Sequence, residues 1–204
     1  MTNNYLSVFH DAGSANIGAW YIKEKKIKTK FYCKGPAIKI FQSIFKNFKN
    51  EKYSKNLLKN IDIVLTGSSS KNLIEHKIRK LCIKKKTKSI CFIDHWVGYK
   101  NGFTKNKEII LPNILYVTNN EAQNIAKRLF KKIKIIKIKN YYEINILNKI
   151  KKKKIKTKNN NFLYFLEPID NKTEFIALNN FIKYLNKKKT NIKNNLIFKL
   201  HPSE

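Results

Sequence analysis

Arginine is nearly missing from these 204 residues: Arg79 and Arg128 stand alone against a mass of lysine. Planar guanidinium groups make the bidentate contacts that read bases and grip phosphates, so their shortage argues against nucleic acid as the partner. Acids are scarce too, 13 against 44 bases, and aspartate occurs only at positions 11, 62, 94 and 170. So few acids form no DxD, HExxH or HxxxH pattern, and no metal is expected. Cys33, Cys82 and Cys91 are odd in number and widely spaced, which supplies neither a disulfide framework nor a zinc site. Apolar runs never approach the roughly 18 residues that span a bilayer. The opening MTNNYLSVFHDAG has no basic segment leading into an apolar one. A reducing, cytoplasmic setting is therefore expected. Neither GxGxxG nor GxxxxGK[ST] occurs, so no cofactor is expected either.

What is present builds a core. Hydrophobic residues make up 42% and charged residues 28%, enough for one large domain or one and a half small ones. The formal net charge is +31. Lysine, isoleucine and asparagine dominate throughout, as AT-rich coding favours. Mutational drift with solvated lysine faces explains this, and a selected polyanion surface is the competing reading; the arginine shortage favours drift. Peripheral contact with an anionic inner membrane is a further expectation, at about 1 kcal/mol per well-placed lysine.

Short apolar runs alternate with helical patterns. Strands are expected over 5–9, 27–33, 61–66, 89–94, 114–118 and 133–138. Helices are expected over 15–24, with Ile17 and Trp20 on one face, from Pro36 onward, from the GSSS cap at 67–70 to about 83, and over 121–130 behind an Asn119-Asn120 cap. Glu75 and Arg79 lie four apart on the third of these helices, the spacing of a surface ion pair. Strand–helix repeats of 25–30 residues imply an α/β fold, a doubly wound parallel Rossmann-like sheet over residues 1–147. A Lys/Asn-rich stretch, 148–160, reads as a linker. Residues 161–204 restart the pattern with a strand, a helix over 173–189 and a strand over 196–200. They read as a partial C-terminal Rossmann-like domain, and the 204-residue chain is expected to be a fragment without transferase activity of its own.

Ligands of doubly wound sheets bind outside the carboxyl ends of the strands. The scarce residue types collect there. His10 and Asp11 close the first strand, and Gly13, Ser14 and Asn16 follow. Gly67 and Ser68 close the third, Asp94, His95 and Trp96 the fourth, Glu167 the first strand past the linker, and His201 and Ser203 the last. Either His10 or Asp11 is a candidate general base toward a hydroxyl. The competing reading of HDAGSAN is a capped turn, with Asp11 or Ser14 satisfying helix N–H groups. The FIDHWVGY segment offers a carboxylate, an imidazole and aromatic rings to a sugar or base.

HDAGSAN, LTGSS, FIDHW, YVTNNEA, YFLEP and a terminal KLHPSE occur in this order along nearly the whole chain. The set resembles bacterial nucleotide-sugar glycosyltransferase-like proteins of the GT-B class, of the kind encoded in surface-polysaccharide loci. The His-Pro dipeptide is similar to a motif of bacterial sialyl- and polysialyltransferases. That likeness implies that His201 contacts the nucleotide phosphate, with Ser203 beside it. Two departures stand out: the second Rossmann-like domain is only begun, and the acidic pair followed by glycine that supplies the base in many sialyltransferases is missing.

The resemblance implies a metal-independent transferase with a nucleotide-sugar donor and a glycan or lipid-linked acceptor. His10 or Asp11 would activate the acceptor hydroxyl, and Gly13, Ser14, Asn16, Gly67, Ser68, Asp94, His95, Trp96, Glu167, His201 and Ser203 would line the substrate site. Hydrolysis or epimerisation of a nucleotide sugar on the same fold is the alternative, and a non-catalytic basic nucleic-acid-binding protein is another.

Overall fold

The computed structural model describes residues 3–69, 73–95, 98–152, 162–165, 171–187 and 196–199. The chain divides into two compact units, Met1–Lys152 and Lys153–Glu204.

In the first unit the strands are β1 (Tyr5–Phe9), β2 (Thr29–Cys33), β3 (Ile63–Thr66), β4 (Lys88–Phe92), the short pair β5 (Thr104–Lys105) and β6 (Glu108–Ile109), β7 (Ile114–Val117) and β8 (Lys134–Lys137). The helices are α1 (Ala12–Glu24), α2 (Pro36–Ile44), α3 (Ile74–Lys85), α4 (Tyr99–Phe103), α5 (Asn120–Leu129) and α6 (Tyr141–Lys152). Six strands form one sheet in the order β2-β1-β3-β4-β7-β8, and every pairing in it is parallel. This is the α/β, Rossmann-like doubly wound architecture that the alternating pattern predicts.

Strands buried on both faces need apolar side chains pointing both ways, and these strands supply them. Phe9, Leu65, Phe92 and Ile114 share one core with α1 and α2. Leu6, Val8 and Val64 face Ile74, Ile78 and Cys82 of α3, while Cys91, Leu115 and Val117 pack with residues of α4 and α5. Phe9 and Phe31 both lie tilted against Phe41, with ring centroids 5.3 and 5.4 Å from its own. Each such ring, fully buried, contributes about 1.5–3 kcal/mol.

Helix α1 starts three residues earlier than its apolar periodicity predicts. Its buried side is Ser14, Ala15, Ile17, Gly18, Ala19 and Ile22. Trp20 stands half-buried beneath the Lys23 ammonium, 4.7 Å from its ring centroid. Pro36 opens α2 at a tolerated first-turn position. Asn119 caps α5 as predicted, its Oδ1 accepting the Ala122 N–H at 2.8 Å. Residues 148–152, assigned on composition to the linker, instead complete α6. Lysine is a good helix former, so a Lys-rich run can continue a helix already nucleated by the turns before it.

In the second unit β9 (Phe162–Phe165) and β10 (Leu196–Lys199) pair in parallel, with α7 (Asn171–Lys187) between them in sequence. Tyr164 stacks on Phe181 of α7 and meets Phe198 of β10. Among the described residues no helix is long and apolar enough to cross a membrane.

Candidate functional site at the switch point of the sheet

The strand order fixes where a crevice forms. The chain passes from β1 outward to β2, then returns past β1 to begin β3. The loops after β1 and β3 therefore leave toward opposite faces, and they part at the carboxyl edge between these neighbouring strands. His10 and Asp11 follow β1 directly, and Gly67 follows β3 directly. Asp94 and His95 follow β4, the next strand over. His10, Gly67 and Asp94 thus share one edge of one sheet.

Asp11 does not cap α1 through its side chain, although it occupies the N-cap position. Its Oδ1 instead lies 2.6 Å from Nδ1 of His10. A carboxylate can only accept, so this contact places a proton on Nδ1 and leaves Nε2 as the basic atom. The His10 side chain is 21% exposed and that of Asp11 39%. The Nε2 edge of the ring lies over Gly35, at the turn into α2.

Asp94 reaches the same place from β4. Its carboxylate sits directly against the Cα of Gly13, in space that any side chain at position 13 would fill. Nε2 of His95 lies 3.7 Å from Asp94 Oδ1. Burial raises the Asp94 pKa above the ordinary aspartate value; His95 opposes the rise and the negative charge of Asp11 adds to it. A carboxyl whose pKa is higher in the folded than in the unfolded chain binds extra protons in the folded state. The stability it contributes is complete below the unfolded value of about 4 and declines as pH rises through the folded value. Asp94→Asn is accordingly expected to raise the urea midpoint at pH 7 and to flatten its decline from about pH 4 upward. An unchanged pH profile would show that Asp94 is solvated like a surface acid.

The residues beneath this edge lie deeper than their spacing in sequence predicts. Glu75 and Arg79 are not a surface pair: both are fully buried. Oε1 of Glu75 accepts the His10 N–H at 3.0 Å and Oε2 accepts the Ser69 N–H at 2.6 Å, so one carboxylate ties the loop after β1 to the loop after β3. Arg79 donates to the carbonyls of Gly67 at 2.8 Å, Gly102 at 3.0 Å and Ile110 at 3.3 Å, and its guanidinium lies over the Phe103 ring. Burial raises the Glu75 pKa, while the Ser69 N–H, the Arg79 charge and the His10 N–H pull it down.

Of the GSSS segment expected to cap α3, Ser70 lies outside the described residues. The N-cap is Leu73, with no side-chain hydrogen bond, and Gly67, Ser68 and Ser69 are buried before the helix begins. Buried backbone there needs partners, and Glu75 and Arg79 provide them. The Ser14 hydroxyl is also buried, lies against Gly67 and has no hydrogen-bond partner among the described residues. Ser14, Gly67 and Ser68 therefore support the edge from below and expose little surface to a ligand. Asn16 is half-buried on α1. Trp96, Glu167, His201 and Ser203 lie outside the described residues, and Phe92 and Tyr99, the other aromatics of the FIDHWVGY segment, belong to the core.

Burial pushes each of the three thiols up to about 12, which removes them as nucleophiles at neutral pH. Among the described residues no group of three or more His, Cys, Asp or Glu is arranged to hold a metal ion. No family model matches the chain, and no curated protein is significantly similar to it.

Proposed function

We propose that the first unit activates an acceptor hydroxyl in a glycosyl-transfer reaction, with His10 as base and Asp11 holding its imidazole. The observation that carries this reading is the 2.6 Å contact of Nδ1 with Asp11 at the switch point of the sheet. In the proposed step His10 Nε2 takes the acceptor O–H proton. The acceptor oxygen forms a bond to the anomeric carbon as the bond from that carbon to the nucleotide phosphate breaks, and the phosphate leaves with the electron pair. The donor is a nucleotide sugar, the acceptor a glycan or lipid-linked glycan, and Asp94 and His95 hydrogen-bond the sugar hydroxyls. The ordered GT-B-like motifs support the same reaction class.

The decisive assay incubates the purified chain with labelled nucleotide sugars and oligosaccharide or lipid-linked acceptors, and identifies the products. Transfer by the wild-type chain would overturn the expectation that it is an inactive fragment, and that transfer should fall by about 10²–10⁴-fold in His10→Gln, the usual contribution of a positioned base. Asp11→Asn should shift the pH–rate profile and lower the rate less. Release of free sugar alone would assign hydrolysis instead, and transfer that survives His10→Gln would remove His10 from the chemistry.

A further inference from the structure

A concave site lies apart from the His10–Asp11 centre. Helix α3 packs chiefly over β1, β3 and β4. Beside it, toward the edge strand β2, a groove of about 510 Å³ remains open. That volume falls within the range of small-molecule sites. Its floor is apolar, formed by Ile74 and Ile78 of α3, both buried. Its side is aromatic. Tyr32 is 6% exposed and anchored in the core, while Tyr53, with its ring centroid 6.2 Å from that of Tyr32, is 63% exposed. An exposed ring held beside a buried one presents a flat apolar surface that a second flat ring can cover.

Leu73, just before α3, adds an exposed apolar side chain, and two cations complete the lining, Lys34 just after β2 and Lys77 on α3. Neither has an acidic partner among the described residues. Lys80, one residue-turn further along α3, shows the contrast: it is neutralised by Glu108 at 2.8 Å. Unpaired ammonium groups at the rim of an aromatic and apolar groove suit a ligand with a planar ring at one end and an anion at the other. We propose that this groove binds a phosphate-bearing planar ring of the nucleoside monophosphate or aryl phosphate class. The ring lies on Tyr53 over Ile74 and Ile78, and the phosphate sits between Lys34 and Lys77. The proposal uses none of the residues of the transfer reading and does not rest on it.

The test is titration of the full chain with AMP, CMP and phenyl phosphate at about 150 mM salt, beside adenosine and inorganic phosphate, followed by calorimetry or NMR. Saturable binding with a Kd of about 1 mM or tighter is expected for the ring phosphates, and weaker binding for either half alone. Preference for AMP and CMP over phenyl phosphate would assign the nucleoside class; parity would assign any aryl phosphate. Tyr53→Ala, an exposed change that leaves the core intact, should weaken the ring phosphates about tenfold and leave inorganic phosphate unaffected. Lys34→Gln and Lys77→Gln should weaken AMP without altering adenosine. Lys127→Gln, on α5, should change nothing, and His10→Gln should leave AMP binding intact, so the two sites are read separately. Lack of saturation up to about 10 mM, equal affinity for inorganic phosphate, or indifference to Tyr53→Ala would overturn the proposal.

Discussion

Arg79→Met is expected to destabilise the first unit by about 3–5 kcal/mol, the cost of removing one partner from a buried ionic network. The substitution nearly conserves volume and keeps an apolar stem over Phe103, so packing is a small part of the loss. The large part is electrostatic. Three buried carbonyls, of Gly67, Gly102 and Ile110, lose the guanidinium donor, and that of Gly67 keeps only the weak Cys91 thiol. Glu75 loses the nearby positive charge that opposes its desolvation. In a unit of this size the shift in Tm is on the order of 10 °C. Both tryptophans, Trp20 and Trp96, belong to the first unit, so urea unfolding followed by their fluorescence reports on it directly. The double variant Glu75→Gln/Arg79→Met should lose less than the sum of the single variants, because each single change strands the other's charge. A surface pair would give less than about 1 kcal/mol and no coupling.

That buried pair marks the limit of what the sequence reveals. Glutamate and arginine four apart on a helix look the same whether the shared face meets water or a sheet edge. The deciding fact is tertiary: α3 lies over loops whose carbonyl and N–H groups point inward at Gly67, Ser69 and Gly102. One signal was available. These are the single acid on the helix and one of only two arginines in the chain, in a sequence where lysine is the default base. An arginine that drift has not replaced is a candidate for a role lysine cannot fill, and three carbonyls at the corners of a planar fork are such a role.

The sheet was legible for the opposite reason. IDIVLT, SICFID and ILYVT are short β-branched runs bounded by polar turns, and only two-sided burial suits them. The edge residues were legible because His and Asp are rare here. Their local roles were not. Asp11 reads as a helix cap, yet its nearest donor is the neighbouring imidazole, and a rotamer choice between two local partners leaves no trace in spacing. The β5–β6 hairpin, two residues per strand, is too short to show a period.

Gly35→Ala is expected to damage both the fold and the His10–Asp11 centre, through two separable causes. Gly35 has φ 54° and ψ −144°, a combination that side chains exclude, and strain of this kind costs about 1–3 kcal/mol. An added Cβ would also stand 2.8 Å from Nε2 of His10, the atom assigned as the base. The ring is held on its other side by Asp11, so relief requires rotating the imidazole away from that carboxylate. Backbone bonds from Lys34 N–H to the Phe9 carbonyl and from Ala37 N–H to the His10 carbonyl bind this turn to the end of β1, so it cannot simply retreat. Gly98 is the internal control. It too has positive φ, 66°, but none of the described residues comes within 4 Å of the position its Cβ would occupy. Gly98→Ala should carry backbone strain of about 1 kcal/mol and leave the His10 resonances unchanged. Gly35→Ala should cost more and move the His10 imidazole nitrogen shifts, with loss of the Nδ1–H signal that the Asp11 contact protects. Equal destabilisation by the two variants, with the His10 signals undisturbed in both, would mean that the ring does not depend on the missing side chain at position 35.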